Sequence, residues 1–210
     1  MSLFPEPAPP ASERICGIDE AGRGPLAGPV IASAVVLDPN IAISGINDSK
    51  KLSPMARFNL AQQIKDKALA WGIGRAEVSE IDTLNILQAT LLAMYRAYEQ
   101  LEVPLDLALV DGNQAPRLKC RTQTIVRGDS KVLAISAASI LAKVERDRVM
   151  AEYAKEHPEY GFDVNFGYHS QEHIDALNTY GPCPIHRKSF RPVADAFDLN
   201  SKPQDLFEPQ

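Results

Sequence analysis

Ile15-Cys16-Gly17-Ile18-Asp19-Glu20-Ala21-Gly22-Arg23-Gly24 decides the reading of this chain, because it sets two adjacent carboxylates at the end of an apolar, strand-like segment. A carboxylate held against an apolar sheet is costly unless it is paired or coordinates a metal, and no Lys or Arg lies within the strand to neutralise it. Metal binding is the economical explanation. Neighbouring strand residues point to opposite faces, so Asp19 and Glu20 serve one site only if the backbone leaves regular strand geometry there. The Ala21-Gly22-Arg23-Gly24-Pro25 run permits that departure.

Outward from this segment the chain alternates strands and helices. Gly28 to Leu37 reads as a second strand, buried on both faces. Ser53-Pro54 is a helix start, with a helix ending near Trp71 and a strand from Trp71 to Val78. Ser79-Glu80-Ile81-Asp82 opens another helix in capping-box style, and Leu84, Leu87, Leu91, Met94, Tyr95 and Tyr98 form its core stripe. Two short runs follow, Leu105 to Val110 and Thr122 to Val126, and both strands are read as finishing with an aspartate, Asp111 and Asp129. Lys131 to His157 is a long helix with Leu133, Ala137, Ile140, Leu141 and Val144 facing inward, and a shorter helix spans Ser170 to Tyr180. This predicts an α/β fold, a sheet covered by helices, with one domain over residues 14–197 between tails at 1–13 and 198–210.

Composition excludes several classes. Among 210 residues, no apolar run is long enough to cross a bilayer, and the Pro-rich Met1 to Glu13 stretch does not resemble a secretory signal. The three cysteines form no C-x-x-C pair, which argues against a disulfide framework and for a reducing cytoplasm. A formal charge of −5 does not suggest a nucleic-acid binder as a whole. Local clusters at Lys50-Lys51, at Arg117, Lys119, Arg121 and Arg127, and at His186-Arg187-Lys188 with Arg191 allow for one basic surface.

Strand ends thus deliver Asp19 with Glu20, Asp111 and Asp129, and functional groups in α/β sheets collect at such ends. Four carboxylates suit two hard cations, Mg²⁺ or Mn²⁺, and a pair of such ions about 4 Å apart suits phosphodiester hydrolysis. Structural alternatives are a turn at Asp111-Gly112 and a helix cap at Asp129 or Ser130. His169, His173, Cys183 and His186 have spacing that allows a zinc site as a competing reading. Ser139 and Lys143 belong to no nucleophile motif and read as helix-face residues.

Several stretches carry a resemblance. Gly17-Ile18-Asp19-Glu20-Ala21-Gly22-Arg23-Gly24-Pro25, Asn47-Asp48-Ser49-Lys50-Lys51-Leu52, Val110-Asp111-Gly112, Gly128-Asp129-Ser130, the segment Ile135 to Asp147, and His186-Arg187-Lys188-Ser189-Phe190 resemble bacterial ribonuclease HII in the same order. The resemblance implies a ribonuclease H-like mixed β-sheet with a small C-terminal helical extension. It also implies an endonuclease that cuts the RNA of RNA–DNA hybrids and cuts 5′ to a lone ribonucleotide in duplex DNA, leaving 3′-hydroxyl and 5′-phosphate. On that likeness Asp19, Glu20, Asp111 and Asp129 are the metal ligands, and the Gly22-Arg23-Gly24 loop senses the ribonucleotide. Tyr168 would pack on the adjoining sugar and Lys50 would grip a phosphate. The family usually places His-Lys before the glycine and tyrosine, whereas this chain has Asn165-Phe166, so a cationic phosphate contact is expected to be missing. Gln204-Asp205-Leu206-Phe207 resembles part of a sliding-clamp docking peptide. A hybrid-binding module without catalysis is the alternative.

Overall fold

Five strands form one mixed sheet in the order β3-β2-β1-β4-β5. They are β1 (Ile15–Ala21), β2 (Val30–Val36), β3 (Ala70–Ala76), β4 (Leu107–Asp111) and β5 (Arg121–Ile125). The structure, a computed structural model, describes residues 13–46 and 52–201, with side chains as far as 197. Lys50, the Asn47-to-Lys51 motif, most of both expected tails and the clamp-like Gln204-to-Phe207 peptide lie outside the described residues. β1 is antiparallel to β2 and β2 to β3, while β1 to β4 and β4 to β5 are parallel. The parallel pairs therefore end at the same edge, which is where Asp19, Glu20 and Asp111 lie.

Helices cover both faces: α1 (Pro54–Lys67), α2 (Val78–Leu84), α3 (Ile86–Glu99), α4 (Leu133–Glu156), α5 (Phe162–Asn165), α6 (Gln171–Tyr180) and α7 (Arg191–Ser201). Strand alternation divides the work between the faces. Ile18, Ala32 and Val110 pack with Ala93, Met94 and Ala97 of α3, while Val35 packs with Leu60 and Ile64 of α1 and Ala137 and Leu141 of α4. On the α4 side Gly17 has a specific reason to be glycine, since a Cβ there would collide with the helix backbone at Ala134 and Ile135. Helix α4 thus runs against β1 at backbone contact, bringing its polar residues to the strand end. The C-terminal helices form a third cluster around Leu26, Met150, Tyr160, Phe162, Leu177 and Val193. Removing a buried ring such as Phe162 would cost about 3–5 kcal/mol.

Local chemistry moves several expected boundaries. Helix α1 stops at Lys67, short of the expected end near Trp71, and the strand expected from Trp71 is β3, where Trp71 pairs with Val35 of β2. The helix expected from Ser79 through Tyr98 is two helices, broken at Asn85, whose backbone is left-handed (φ 72°). Its side chain accepts from the amides of Leu87 and Gln88, so α3 has a new N-cap where periodicity alone suggests continuity. The capping box belongs to Glu77 and Glu80, one turn-start earlier than the Ser79 reading. Only β4 finishes with an aspartate. Asp129 lies past the end of β5, in a tight 3₁₀ turn over Gly128–Ser130. Leu133 is half exposed rather than inward-facing. Helix α7 belongs to the C-terminal helical extension that the resemblance implies without setting its bounds, and it runs past 197; Val193 and Ala196 at helical spacing were the available signal.

Candidate active site

The expectation that the backbone departs from strand geometry at Asp19-Glu20 does not hold. Pairing with β2 is unbroken through Asp19↔Ser33, Glu20↔Ala32 and Ala21↔Ile31. What ends early is the other ladder, since β1 pairs with β4 only as far as Ile18↔Val110. The two carboxylates therefore start from opposite faces but stand at an open strand end, where a glutamate side chain has room to approach its neighbour. Asp111 is the next residue of β4 after that last pair.

Asp19 is buried, 5% exposed, on the α4 side, and its Oδ1 accepts the Glu20 N–H at 2.7 Å. Burial pushes its carboxyl well above the usual range, and the charges of Glu20 and Asp111 push it further, against a hydrogen bond from Ser139. Glu20 is raised for the same first reason, with Arg23 opposing through an ion pair at 3.3 Å and Asp111 adding to the rise. Asp111 is fixed from behind, its Oδ1 accepting the Gly128 N–H at 2.5 Å. Asp129 is half-buried and is the residue after that amide. Three carboxylates are thus within electrostatic reach of one another, and the fourth is next to the turn that anchors one of them. Among the described residues no group of three or more His, Cys, Asp or Glu side chains stands in a metal-holding arrangement. The donor chemistry nonetheless fits a hard divalent cation: oxygen-only, acidic, partly desolvated and mutually repelling.

Beside this cluster opens a cleft of about 430 Å³. Gly22, Arg23 and Gly24 form one wall and Tyr168 faces them; a Cβ added to Gly24 would lie 3.8 Å from the Tyr168 ring. The remaining lining includes Arg57 from α1 and Ser139 and Lys143 from α4. Sequence reasoning set Ser139 and Lys143 aside as helix-face residues. Their i, i+4 spacing was the usable signal, because it puts both on the face that α4 turns to β1. Lys143 Nζ lies 4.7 Å over the Phe166 ring and bonds Asp147 at 2.6 Å, so a cation stands beside Phe166 even though residue 166 is not lysine.

Two arginines shape the glycine loop. Arg187 is fully buried and donates to the carbonyls of Gly22 (2.5 Å), Arg23 (2.9 Å), Pro25 (2.7 Å) and Gly28 (2.9 Å). Arg146, 1% exposed, donates to Ala27, Pro29 and Phe166. Gly22 must be glycine, since its φ is +94° and a Cβ would strike the Arg146 side chain. Burial lowers Arg146 and, with Arg146 beside it, brings Arg187 down to about 9. Because Gly22 and Arg23 turn their carbonyls to Arg187, the amides of Arg23 and Gly24 on the same peptide planes point away from it.

Among the described residues, several members of the basic clusters are engaged within the protein. Arg187 is interior, Arg121 pairs with Glu13, Lys119 with Glu99 and Arg191 with Asp195. The zinc reading also fails on geometry. His173 and His186 meet Nε2 to Nε2 at 2.9 Å, while Cys183 lies on the opposite nitrogen of His186, so no one ion is shared by all three.

A mixed sheet of this order, flanked by helices and carrying acidic residues at the ends of its first and fourth strands, places the protein in the ribonuclease H-like class. The ribonuclease H2 from Pyrococcus horikoshii OT3 superposes with a TM-score of 0.74 at 25% identity, covering 90% of this chain and 100% of that one. The ribonuclease HII in the PCNA:RNase HII complex from Archaeoglobus fulgidus gives 0.67 at 23% identity, covering 83% and 93%. Bst-RNase HIII, solved in complex with Mn²⁺, gives 0.70 at 17% identity, covering 90% and 71%, a likeness of fold alone. Residues 16–193 match the family described as Ribonuclease HII. The ribonuclease HII of Nitrosococcus oceani is 55% identical over 86% of this chain and 90% of its own, and that of Burkholderia thailandensis is 56% identical over 89% and 87%. The chain belongs to the ribonuclease HII family and is an endoribonuclease acting on RNA–DNA hybrids.

Proposed function

We propose that Asp19, Glu20, Asp111 and Asp129 hold divalent cations, Mg²⁺ or Mn²⁺, for cleavage on the 5′ side of a ribonucleotide, including one embedded in duplex DNA. The observation that carries this reading is the convergence of Asp19, Glu20 and Asp111 at one sheet edge, with Asp19 and Glu20 driven toward protonation by burial and the nearby carboxylates. Such ions, when bound, supply activated water and charge stabilisation at the phosphate. The chain's own residues do the rest. Ser139 orients Asp19, and the Gly128 amide orients Asp111. The Arg23 and Gly24 amides, on residues that line the cleft, would meet a sugar or phosphate oxygen, and glycine lets the backbone approach closely enough to sense a 2′-hydroxyl. Tyr168, 47% exposed across the cleft, offers a face for the adjoining sugar. Lys143 and Arg57, which line the cleft, would serve as phosphate contacts, and Lys50 takes the same role on the family resemblance alone.

The manganese complex of the related-fold protein supports the metal class. We place residues 14–197 as the catalytic domain, working in the cytoplasm. The archaeal complex with PCNA motivates a clamp contact through Gln204-Asp205-Leu206-Phe207. A metal series on a duplex with one ribonucleotide tests the whole reading: cleavage that requires Mg²⁺ or Mn²⁺ and leaves a 3′-hydroxyl is expected, and binding with no cutting under any metal overturns it in favour of a passive hybrid-binding module.

A further inference from the structure

The buried histidine pair has a direction. The Cys183 backbone N–H points at His186 Nδ1 at 3.0 Å, and a backbone amide only donates, so Nδ1 is an acceptor. The neutral ring then carries its proton on Nε2 and donates to His173 Nε2 at 2.9 Å. His173 in turn carries its proton on Nδ1, which donates to the Tyr168 carbonyl at 2.9 Å. Each link fixes the next.

We propose that His186 and His173 form an uncharged, one-way hydrogen-bond strut that sets the position of Tyr168, making both histidines positioning residues for the cleft. The strut runs from the Cys183–His186 turn, through the core of the C-terminal cluster, to the residue that faces the glycine loop. Both rings are fully buried. His173 stands edge-on to Phe162, and the His186 ring lies 4.8 Å from that of Tyr160, so both rings are packed among aromatic neighbours. The rest of the Tyr168 loop is fixed by separate hands. Arg146 takes the Phe166 carbonyl, and the Leu26 amide donates to the Gly167 carbonyl at 2.8 Å. Phe166 is held left-handed at φ 50°, a conformation that persists in a non-glycine residue only when its surroundings impose it. Tyr168 is the point where this fixed loop reaches the cleft, and the histidine strut is its tie to the C-terminal helices.

An added proton on either ring would oppose N–H to N–H within the chain. Burial lowers His173 and takes His186 down to about 3, with His173 itself adding to the effect on His186. The titratable groups facing the pair are Tyr160 and His157 from the turn after α4, His169 from the loop before α6, and Cys183. None of these is a carboxylate, and the one group favouring a charged His173, the Tyr168 carbonyl, is outweighed by burial.

The role for Tyr168 rests on the proposed function, so the test has one arm free of activity. Long-range proton–nitrogen spectra of full-length protein with ¹⁵N-histidine should show His173 as the Nδ1–H tautomer and His186 as the Nε2–H tautomer, both neutral at pH 5. An Nε2–H His173, or a charged ring there, overturns the strut whatever the enzyme does. In the second arm, His173→Leu should raise KM for a single-ribonucleotide duplex by about three- to tenfold with kcat little changed, the worth of one hydrogen bond. His173→Asn, which keeps a donor near Nδ1, should recover most of that loss. In a Tyr168→Ala background His173→Leu should change KM less than twofold; independent, multiplying effects would overturn the positioning role. Failure of wild-type cleavage would count against the proposed function and leave the tautomer result standing.

Discussion

Two buried charge clusters meet at the Gly22–Gly24 loop, and they are built by opposite rules. Asp19, Glu20 and Asp111 crowd like charges at a strand end, with one half-exposed arginine, Arg23, against Glu20. Arg146 and Arg187 bury two guanidiniums that, among the described residues, form no ion pair and donate to seven backbone carbonyls. The acidic cluster is a source of strain waiting for a positive partner, whereas the basic one is satisfied within the protein and works as a scaffold. Removing a charge from the first should therefore relieve the fold, and removing one from the second should damage it.

The largest effect should come from Asp111→Asn. Cleavage of a single-ribonucleotide duplex is expected to fall by at least about a thousandfold, on the order of 4 kcal/mol of transition-state stabilisation. In the presence of a chelator its melting temperature should be equal to or above that of the wild type. Normal turnover would break the proposed site, and a clear loss of stability would break the claim that this cluster is strained. The second test has the opposite sign: Arg187→Met should cost about 3–5 kcal/mol in chemical denaturation, because four carbonyls lose their donor. A loss below about 1 kcal/mol would show the scaffold to be dispensable.

A third prediction sharpens the contrast through ligand linkage. Mg²⁺ or Mn²⁺ should stabilise the wild type by roughly 2.7 kcal/mol at a hundredfold excess over the dissociation constant, read as a raised melting temperature, and should leave Asp19→Asn nearly unmoved. The fourth concerns pH. His186 has its folded pKa depressed to about 3, so the unfolded chain binds the extra proton first as pH falls below the ordinary histidine value of about 6.5. Stability should fall between those limits by at most about 1.4 kcal/mol per pH unit for that ring, with His173 adding in the same direction. His186→Gln should flatten that portion of the denaturation-versus-pH curve.

The acidic cluster was legible in the sequence and the basic one was not, for a physical reason. An acidic pair at the end of an apolar strand violates the local pattern, so Asp19-Glu20 announces itself without any knowledge of the fold. Arg146 and Arg187 look like ordinary surface charges, because six of the seven carbonyls that accept from them come from a loop more than a hundred residues away. The same limit explains Asn85. Periodicity carries the stripe across residues 84–87, while the break depends on a left-handed backbone stabilised by a side-chain cap that competes with helix continuation. Ser139 and Lys143 were visible as a spaced pair but acquire meaning only once α4 is laid on β1.

The smallest effect separates sequence pattern from spatial supply. Phe166 stands where relatives of this type usually carry lysine, and the sequence alone predicts a lost phosphate contact, which Phe166→Lys should restore with a salt-dependence slope steeper by about 0.7–0.9. The structure argues for less. Lys143 already places its ammonium 4.7 Å over the Phe166 ring, at the cleft wall, so a new lysine would repel it as well as attract phosphate. Residue 166 is also held left-handed, and its carbonyl is fixed by Arg146, which leaves the substituted side chain little freedom to choose another direction. The expected slope change for Phe166→Lys in binding measured against salt is thus well under one phosphate equivalent, while Lys143→Met should flatten the slope by close to one. If instead Phe166→Lys adds a full phosphate equivalent and Lys143→Met changes nothing, the contact belongs to position 166, and helix α4 does not supply it.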